Sequence, residues 1–437
     1  MPAPLGVPYW TEGVPPAPDL PRDLTAVTGA PGAVVVGGGY TGLSAALTLA
    51  REGVRVLVLD AGEPGLGAST RNGGMIGAPH AFGTARTVKG YGLDFAGRLM
   101  REGREAYEFT AGLASGLDCD FRRHGRLRLA WTKRHFEALR AEAELMRTHG
   151  DYDVQVLGRD ELAQEIGSSR YFGGVLFPDH GGLHPHRFHR GLLSAALAEG
   201  VQVVAHCPVT RIARTRDRFA VTTAAGRIET DAVIVATNGY TPWSFRHIAE
   251  RVFPVPSFII ATEPLPEGMA DRLAPGRRMM AETRRRYGYF RLSPDGTRLL
   301  WGGRAAVHPI PLARARERLR GLMAEVFPAL ARQPISHVWM GTLGFTFDGL
   351  PHVGRRSGVH FALGYNGNGV ALSPWLGRKA ALRALGRPEG ETVFAETKFE
   401  TRPWRWPMRW TMPLATWMQR PIDWRENAEA ERDRAAG

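Results

Sequence analysis

The fold is decided by the stretch Ala33-Val34-Val35-Val36-Gly37-Gly38-Gly39-Tyr40-Thr41-Gly42, near the start of a chain of 437 residues. A short apolar run leads into three glycines, and apolar residues then recur at helical spacing. A second β-branched run, Val54 to Leu59, ends on Asp60. This order predicts a strand, a tight turn, a helix and a second strand, the βαβ unit that binds dinucleotides.

Three glycines of the motif are each required by the geometry of a dinucleotide site. Gly37 permits the tight turn, Gly39 lets a pyrophosphate approach the backbone, and Gly42 lets the helix pack closely on the strand. The helix N-terminus attracts the phosphate charge, and Asp60 is placed to accept hydrogen bonds from both ribose hydroxyls of an adenosine. The motif alone does not separate FAD from NAD.

The composition is that of a soluble globular protein long enough for two or three domains. No apolar run approaches the roughly 20 residues of a membrane span. Residues 1–31 are proline-rich and lack the apolar core of a signal peptide, so we expect no transmembrane segment and a cytoplasmic location.

The net charge of +13 comes from scattered arginines, with lysine only at positions 89, 133, 379 and 398. Recognition of nucleic acid needs clustered charge, so we expect no specific nucleic-acid partner.

Cysteine usage argues against a disulfide framework and against a metal site. Cys119 and Cys207 are the only cysteines, and neither lies in a CxxC pair or at metal-ligand spacing. We expect both to be buried small apolar residues and predict no bound metal.

Apolar periodicity predicts the remaining elements. A glycine-rich loop, residues 62–75, follows the βαβ unit and is expected to approach the ligand closely. Helices are predicted over residues 91–117, 133–150, 185–200, 312–331 and 370–384. Strands are predicted within residues 121–131, 201–204, 209–214, 218–223, 231–239, 258–262, 286–292, 298–302, 338–342 and 359–364.

Five motifs in this order resemble the D-amino-acid-oxidase-type FAD oxidoreductases. They are the unit 37–60, Gly67-Ala68-Ser69-Thr70-Arg71-Asn72-Gly73-Gly74, Ala236-Thr237-Asn238-Gly239-Tyr240, Asp348-Gly349-Leu350-Pro351-His352-Val353-Gly354 and Gly364-Tyr365-Asn366-Gly367-Asn368-Gly369-Val370-Ala371. Within that superfamily the likeness is greatest to gamma-glutamylputrescine oxidase-like enzymes, and it extends from Tyr9-Trp10 to residues 399–403.

The resemblance implies an α/β fold, a Rossmann-like FAD-binding domain of the glutathione-reductase type with an inserted α+β substrate domain built on a mostly antiparallel sheet. The FAD-binding domain would comprise residues 31–89, 180–245 and 335–395, and the substrate-binding domain residues 90–179 and 246–334. Residues 1–30 would form an arm laid across the surface. Residues 396–437 would form an extension rich in Trp and Arg, expected to pack against the body of the protein, with a position at a membrane interface as the alternative.

The resemblance also implies contacts with noncovalent FAD. Residues 72–75 would run beside the isoalloxazine ring, Val209 would meet the adenine, and residues 237–239 would line the pyrophosphate or ribitol. The last glycine cluster would place a helix N-terminus against flavin N1 and the C2 carbonyl, where negative charge accumulates on reduction. The predicted contacts are Gly37, Gly39, Tyr40, Thr41, Gly42, Asp60, Ala61, Ser69, Thr70, Arg71, Asn72, Gly73, Gly74, Met75, Val209, Thr237, Asn238, Gly239, Gly364, Asn366, Gly367, Asn368, Gly369 and Val370.

Two departures from the family pattern bear on the flavin. Similar proteins commonly carry His where Asn368 stands, which alters any contact made by that position. Some relatives attach the flavin through His or Cys, whereas the matching loop here has Asn72. A noncovalent flavin is therefore expected, with His80 the nearby candidate for an exception.

Flavin-dependent amine oxidation rests on positioning and electrostatics more than on side-chain acid–base chemistry. The neutral amine is held with its C–H pointed at flavin N5, a hydride equivalent transfers, and the imine hydrolyses in water. Tyr287, Tyr289 and Arg291 alternate with Gly288 and Phe290 and so share one strand face. We predict Tyr289 and Arg291 as the catalytic-site residues, the arginine clamping a substrate carboxylate. A solvated polar face is the alternative interpretation of this strand.

The leading hypothesis is oxidation of a carboxylate-bearing amine, gamma-glutamylputrescine-like compounds first, with reoxidation by O2 and formation of H2O2. Some sarcosine-oxidase relatives use a lysine near flavin N5 to react with oxygen, but no lysine lies between Lys133 and Lys379. An N-methyl-amino-acid or D-amino-acid dehydrogenase with a quinone or carrier acceptor is a second hypothesis. An enzyme acting on modified tRNA and a flavin-binding protein without turnover are the others.

Overall fold

The computed structural model describes residues 5–285, 287–402 and 424–435. Its helices are α1 (Tyr40–Arg51), α2 (Ala85–Tyr91), α3 (Leu93–Ser115), α4 (Lys133–Gly150), α5 (Arg159–Leu162), α6 (Pro185–Ala198), α7 (Arg246–Ala249), α8 (Met269–Leu273), α9 (Leu312–Val326), α10 (Gly369–Ala384) and α11 (residues 424–435). Its strands are β1 (Ala33–Val36), β2 (Val56–Leu59), β3 (Met75–Ile76), β4 (Arg126–Leu129), β5 (Gln155–Leu157), β6 (Gly174–Phe177), β7 (Gly181–Gly182), β8 (Gln202–Val204), β9 (Val209–Thr215), β10 (Arg218–Thr223), β11 (Gly226–Thr230), β12 (Ala232–Val235), β13 (Val252–Thr262), β14 (Met279–Glu282), β15 (Gly288–Leu292), β16 (Leu299–Gly303), β17 (Ile335–Thr346), β18 (His352–Arg356) and β19 (Val359–Leu363).

The first sheet carries the glycine-rich turn. Its strands lie in the order β18-β19-β12-β1-β2-β8, parallel except for β18 at the edge. Every residue of β1 and β2 is buried, which explains why both segments are continuous apolar runs rather than alternating ones. Helices α1, α3, α6 and α10 cover one face, and the antiparallel sheet β9-β10-β11 packs on the other. The predicted βαβ unit is therefore β1-α1-β2.

The second sheet has the order β17-β13-β16-β15-β14-β4-β6-β5 and is antiparallel except between β14 and β4. One face packs against α9 through Leu319 and Met323. The opposite face carries Tyr289 and Trp339, and it is turned towards the N-terminal residues. The predicted α/β class, a Rossmann-like domain with a mostly antiparallel second sheet, is confirmed. Because β17 pairs with β13 along its length, the second sheet crosses the predicted domain boundary at residue 335.

Helix α9 ends earlier than its apolar periodicity predicts. A helix was predicted over residues 312–331, but α9 stops at Val326 and a 3-10 turn, Pro328–Leu330, follows. A proline disfavours the helical conformation of the residue before it, and Phe327 has φ −124° and ψ 84°. Leu330 still reaches the core through the turn, so the apolar pattern continues after the helix has ended.

Two residues of the N-terminal arm, Tyr9 and Trp10, are buried in the core, whereas most of residues 11–30 are exposed. Tyr9 and Trp10 pack with Ile259 and Trp339 on the second sheet, and Trp10 is 0% exposed. The indole Nε1 of Trp10 donates a hydrogen bond to the carbonyl oxygen of Asn72 at 2.8 Å. The arm therefore fastens the loop after β2 to the second sheet.

The C-terminal helix α11 packs beside α4. The indole Nε1 of Trp131 donates to Asn427 at 3.0 Å, and His135 lies 3.1 Å from Glu426. The predicted packing of the tryptophans at 404, 406, 410 and 417 concerns positions outside the described residues, and Trp424 on α11 is 72% exposed. Across the described parts of the chain, no helix has the length and apolar character needed to cross a membrane.

The buried hydrogen bond of Trp10 provides a test of the arm. Trp10→Phe removes the donor and leaves the Asn72 carbonyl unsatisfied, which should lower the free energy of unfolding by roughly 1–3 kcal/mol. Trp424→Phe, on an exposed side chain, should change it by less than about 0.5 kcal/mol. Urea unfolding of both variants measures the difference, and equal stabilities would contradict the role given to the arm.

Candidate functional site

The glycine-rich turn brings the backbones of β1 and α1 into direct contact. Gly37 has φ +106°, a conformation that other residues rarely adopt. A Cβ atom on Gly42 would lie 1.8 Å from the carbonyl oxygen of Gly37, so a side chain there would displace the backbone. Helix α1 begins at Tyr40, whose N–H donates to Ser69 Oγ at 3.1 Å. The partial positive charge of the helix N-terminus is thus presented beside the turn.

Asp60 follows β2 and holds the turn from the other side. Its Oδ2 accepts the N–H of Gly38 at 2.6 Å and its Oδ1 accepts that of Gly62 at 2.9 Å. Burial raises the pKa of Asp60, and the two hydrogen bonds oppose that rise. The carboxylate borders the cavity described next, where its remaining lone pairs are acceptors for hydroxyl groups.

A cavity of about 620 Å³ lies between the turn, the loop after β2, the end of β12 and the start of α10. The predicted FAD contacts that line it are Gly37, Gly39, Tyr40, Thr41, Asp60, Ala61, Ser69, Asn72, Val209, Thr237, Asn238, Gly367, Gly369 and Val370. Tyr240, Phe245, Leu343 and Tyr365 also line it and were missed. Tyr240 and Tyr365 adjoin predicted motif residues, so a signal for them was present. Phe245 and Leu343 carry no local signal.

The other predicted contacts do not line this cavity. They are Gly42, Thr70, Arg71, Gly73, Gly74, Met75, Gly239, Gly364, Asn366 and Asn368. Two side-chain amides hold members of this group in place. Asn366 Oδ1 accepts the N–H of Thr346 at 3.0 Å, and Oδ1 of Asn238, which lines the cavity, accepts the N–H of Gly364 at 2.9 Å. These bonds join the end of β12, the turn before α10 and the end of β17. Direct contact of these ten residues with FAD stays a prediction.

The N-termini of two helices meet at the cavity. Helix α10 begins at Gly369, and a 2.7 Å hydrogen bond between Thr41 Oγ1 and the Tyr365 hydroxyl links its approach to α1. Two positive helix ends, an acceptor carboxylate at Asp60 and the close backbone approach at Gly37 form the donor and acceptor set of a dinucleotide site. The residues present therefore fit FAD. In the described part of the chain, no cluster of His, Cys, Asp and Glu is arranged to hold a metal.

The loop after β2 is held rigid by its own side chains. Asn72 Nδ2 donates to the carbonyls of Ala68 and Ser69 at 3.1 and 2.8 Å, and its Oδ1 accepts the N–H of Gly74 at 2.8 Å. A Cβ atom on Gly73 would lie 2.9 Å from the ring of Tyr289. The loop therefore separates the cavity from the second sheet with little side-chain bulk between them.

Arg71 binds backbone carbonyls. Its Nη1 donates to Gly6 at 2.9 Å and to Met340 at 3.3 Å, and its Nε donates to Leu66 at 2.8 Å. Burial lowers the pKa of this guanidinium. Arg71 thus ties the loop to the arm and to β17.

The two predicted catalytic-site residues lie on the face of β15 turned away from α9. The hydroxyl of Tyr289 lies 3.1 Å from Ser257 Oγ. Arg291 is buried, and its Nη1 donates to the carbonyls of Gly74 and Leu183 at 2.9 and 3.0 Å while its Nε donates to that of Leu292. Burial lowers the pKa of Arg291 to about 10. These bonds use Nε and Nη1 of Arg291 and leave Nη2 for a substrate carboxylate. Binding of the substrate carboxylate by Arg291 stays a prediction.

His189, on α6, contacts the glycine-rich turn. No sequence motif indicated this role. Its Nε2 lies 2.8 Å from the carbonyl oxygen of Gly38, which accepts only, so Nε2 carries the hydrogen. Its Nδ1 is buried without a hydrogen-bond partner. Burial lowers the pKa of His189 from its ordinary value of 6.5 to about 4. The neutral imidazole orients the peptide that leads into α1.

Comparisons with known proteins agree with this geometry. Residues 33–383 match the family described as "DAO: FAD dependent oxidoreductase". The chain is 34% identical to the "Probable oxidoreductase OrdL" of Haemophilus influenzae and 32% identical to the "Gamma-glutamylputrescine oxidoreductase" of Escherichia coli K12, each over 83% of this chain and 85% of the relative. The crystal structure of glycine oxidase from Geobacillus kaustophilus superposes with a TM-score of 0.71 at 22% identity, covering 86% of this chain and 99% of that one.

The contact between Gly42 and Gly37 can be tested by one methyl group. Gly42→Ala should lower the free energy of unfolding by roughly 1–3 kcal/mol because the backbone must move, and it should weaken FAD binding in parallel. Gly112→Ala, at an open and exposed position of α3, should instead stabilise by up to about 1 kcal/mol. Urea unfolding and the flavin content of the purified protein report both effects. Full flavin content in Gly42→Ala would contradict the assignment.

The buried His189 predicts a dependence of stability on pH. As pH falls below 6.5 the unfolded chain takes up a proton that the folded protein resists until about pH 4, so stability present above pH 6.5 is lost between these values. His189→Gln keeps a donor for the Gly38 carbonyl and removes the titration. The slope of the unfolding free energy against pH should decrease by up to about 1.4 kcal/mol per pH unit in this window. The control is His308→Gln at an exposed site, and an unchanged slope in His189→Gln would refute the prediction.

Proposed function

Because the chain belongs to the family of FAD-dependent oxidoreductases that act on the C–N bonds of amines and amino acids, we propose that its substrate is an amine carrying a carboxylate, with gamma-glutamylputrescine-like compounds first. Membership confirms the family resemblance of the motifs, FAD as the cofactor and the prediction of an oxidoreductase. The carboxylate-bearing amine is supported by the gamma-glutamylputrescine oxidoreductase of Escherichia coli, which the chain resembles over most of both lengths.

The observation that carries the proposal is the meeting of the cavity and the second sheet at residues 72–74. Asn72 lines the cavity, and a Cβ atom on the next residue, Gly73, would lie 2.9 Å from the ring of Tyr289. A substrate bound on the Tyr289 side is thereby placed next to a cofactor bound on the Asn72 side. Short distance and fixed orientation are the main requirements of this chemistry.

Several residues are proposed to hold FAD without a covalent bond. Asp60 accepts hydrogen bonds from the ribose, the N-terminus of α1 receives the pyrophosphate, and the backbone at Val209 meets the adenine. The N-terminus of α10 faces the flavin end of the cavity. Asn72 offers no nucleophile, and His80 does not line the cavity, which supports noncovalent binding.

When bound, FAD supplies an acceptor for a hydride equivalent from the carbon next to the amine nitrogen, and the resulting imine hydrolyses in water. Tyr289 is a neutral hydrogen-bonding group at working pH, because burial raises the pKa of its phenol. It therefore orients the substrate and excludes water rather than acting as a base. Arg291 fixes the 72–74 loop through Gly74 and is proposed to offer Nη2 to the substrate.

Molecular oxygen is the proposed acceptor, with H2O2 as its product. No lysine lines the cavity, and the buried Lys379 donates to the carbonyls of Glu389 and Glu391 at 2.9 and 2.8 Å. The cavity therefore lacks a lysine that could assist the reaction with oxygen. This favours a second candidate, a dehydrogenase that passes electrons to a quinone or a carrier protein.

The proposal predicts substrate-dependent bleaching of the flavin. Mixed anaerobically with gamma-glutamylputrescine, sarcosine and D-alanine, the holoenzyme should lose its yellow absorbance fastest with gamma-glutamylputrescine. Putrescine, which lacks the carboxylate, should reduce the flavin at least about tenfold more slowly at equal concentration, a difference of about 1.4 kcal/mol. Stopped-flow absorbance measures both rates.

Admission of air then decides the acceptor. One equivalent of H2O2 per substrate indicates an oxidase, whereas slow reoxidation with rapid reduction of an artificial quinone indicates a dehydrogenase. Equal bleaching by putrescine and gamma-glutamylputrescine would remove the carboxylate from the proposal. A flavin that no amine bleaches would overturn the proposed function.

A further inference from the structure

We propose that Arg126 and Tyr287 form an anion-recognition site for a carboxylate that lies remote from the reacting carbon of the substrate. The inference rests on the proposed amine oxidation and deepens it, because it names the residues that select the substrate class. A long amine with a carboxylate at its far end fits such a site, whereas the carboxylate of an α-amino acid adjoins the reacting carbon.

Arg126 carries a buried charge without a counter-ion. The side chain is 8% exposed, and its Nε has no hydrogen-bond partner. Within residues 5–285, 287–402 and 424–435, no carboxylate pairs with it. A buried charge is costly unless it is paired, so the site is completed by an anion that the chain does not supply.

Neighbouring arginines show the contrast. Arg128, two residues along β4, binds Glu142 through Nη1 at 2.7 Å. Arg284, which follows β14, is paired with Glu282 at 2.8 Å and with Glu325 at 2.9 Å. Arg291 donates through Nε and Nη1 to backbone carbonyls. Each of these three arginines thus has a carboxylate or backbone carbonyls as acceptors, although Nη2 of Arg284 is also without a partner, whereas the described residues supply Arg126 with no carboxylate.

The register of the sheet places Arg126 on the substrate side. Tyr289 on β15 lies opposite Ala281 on β14, and Ala281 lies beside Arg128 on β4. Residues directly opposite in paired strands share a face, and residues two apart in one strand do so as well. Arg126 therefore shares the face of Tyr289, while Leu127 points into the core beneath α9.

Tyr287 connects Arg126 to the reacting end. Burial lowers the pKa of Arg126, and the neighbouring phenol of Tyr287 opposes that effect. The rings of Tyr287 and Tyr289 are 5.8 Å apart between centroids, and a Cβ atom on Gly73 would lie 2.9 Å from the ring of Tyr289. Two tyrosine rings thus separate Arg126 from the loop beside the cofactor cavity, which sets the length of the substrate between its carboxylate and its reacting carbon.

The other polar groups near Arg126 are one ion-paired arginine, Arg128, and two histidines. Burial lowers the pKa of His80 and of His180 well below the ordinary range, so both are neutral near pH 7. Their Nδ1 atoms have no hydrogen-bond partner. The site therefore presents the charge of Arg126, with Arg304 next to Tyr287, and unsatisfied polar atoms, a set that matches a carboxylate.

The test measures ligand binding to the FAD-loaded protein, independently of turnover. Straight-chain monocarboxylates from acetate to octanoate, and the corresponding primary amides, are titrated while the flavin absorbance is recorded. The wild type should bind longer carboxylates more tightly than acetate and more tightly than the matched amides. Arg126→Met should weaken carboxylate binding roughly 10- to 100-fold and leave amide binding unchanged.

Further variants keep the test decisive if Arg126→Met folds poorly. Arg126→Lys keeps the charge but loses the two-point contact, so it should fall between the wild type and Arg126→Met. Tyr287→Phe should weaken carboxylate binding a few-fold. Arg128→Gln is the matched control, since Arg128 is already paired, and it should bind carboxylates as the wild type does. Flavin content and thermal unfolding identify any variant that is misfolded.

The outcomes separate this inference from the proposed function. Carboxylate binding that depends on Arg126, together with a flavin that no amine bleaches, would leave the anion site standing and overturn amine oxidation. Bleaching by amines with equal affinity for carboxylates and amides, or with no effect of Arg126→Lys and Tyr287→Phe, would overturn the anion site alone.

Discussion

The whole structure depends on the backbone of residues 71–74, because its buried carbonyls must find donors from distant parts of the chain. Trp339 on β17 donates to the carbonyl of residue 71 at 2.9 Å, Trp10 on the arm donates to that of residue 72, and Arg291 on β15 donates to that of residue 74. Each buried carbonyl left without its donor would cost roughly 1–3 kcal/mol. One short loop therefore holds the cofactor cavity against the substrate face.

The same requirement explains how the arginines of this face differ. A guanidinium has five N–H donors and no acceptor, so burial is tolerated only where acceptors surround it. Arg71 and Arg291 take backbone carbonyls and thereby stabilise the loop, and Arg128 takes the carboxylate of Glu142. Arg126 has a phenol and no carboxylate among the described residues. Structural arginines and a recognition arginine thus stand side by side on one sheet.

The sequence predicted what is decided locally. The β1-α1-β2 unit was predictable because the close contact at Gly42 involves a residue five positions away. Pro328 is a local signal for the end of α9. The prediction extended the helix past it because the apolar periodicity continues to Leu330.

The substrate face depends on pairing between distant segments and could not be predicted in the same way. Arg126 became significant only because β4 pairs with β14, about 150 residues away in the chain, and in the sequence it was one scattered arginine among many. Alternation placed Tyr289 and Arg291 on one face, but the acceptors of Arg291 come from Gly74 and Leu183. Sequence periodicity gives the direction of a side chain, whereas its partners are set by the tertiary fold.

The two helix N-termini at the cavity extend this dependence to the cofactor. The N-terminus of α1 is formed by residues close to it in the sequence. The N-terminus of α10 is instead held by the Thr41–Tyr365 hydrogen bond and by Asn366, whose side-chain oxygen accepts the N–H of Thr346 at the end of β17. A ligand that binds only the folded arrangement stabilises all the contacts which that arrangement requires. Since β17 also carries Trp339, a ligand in the cavity favours the same positions of β17 and of residues 71–74 that order the substrate face. Cofactor binding and the order of that face are therefore parts of one equilibrium.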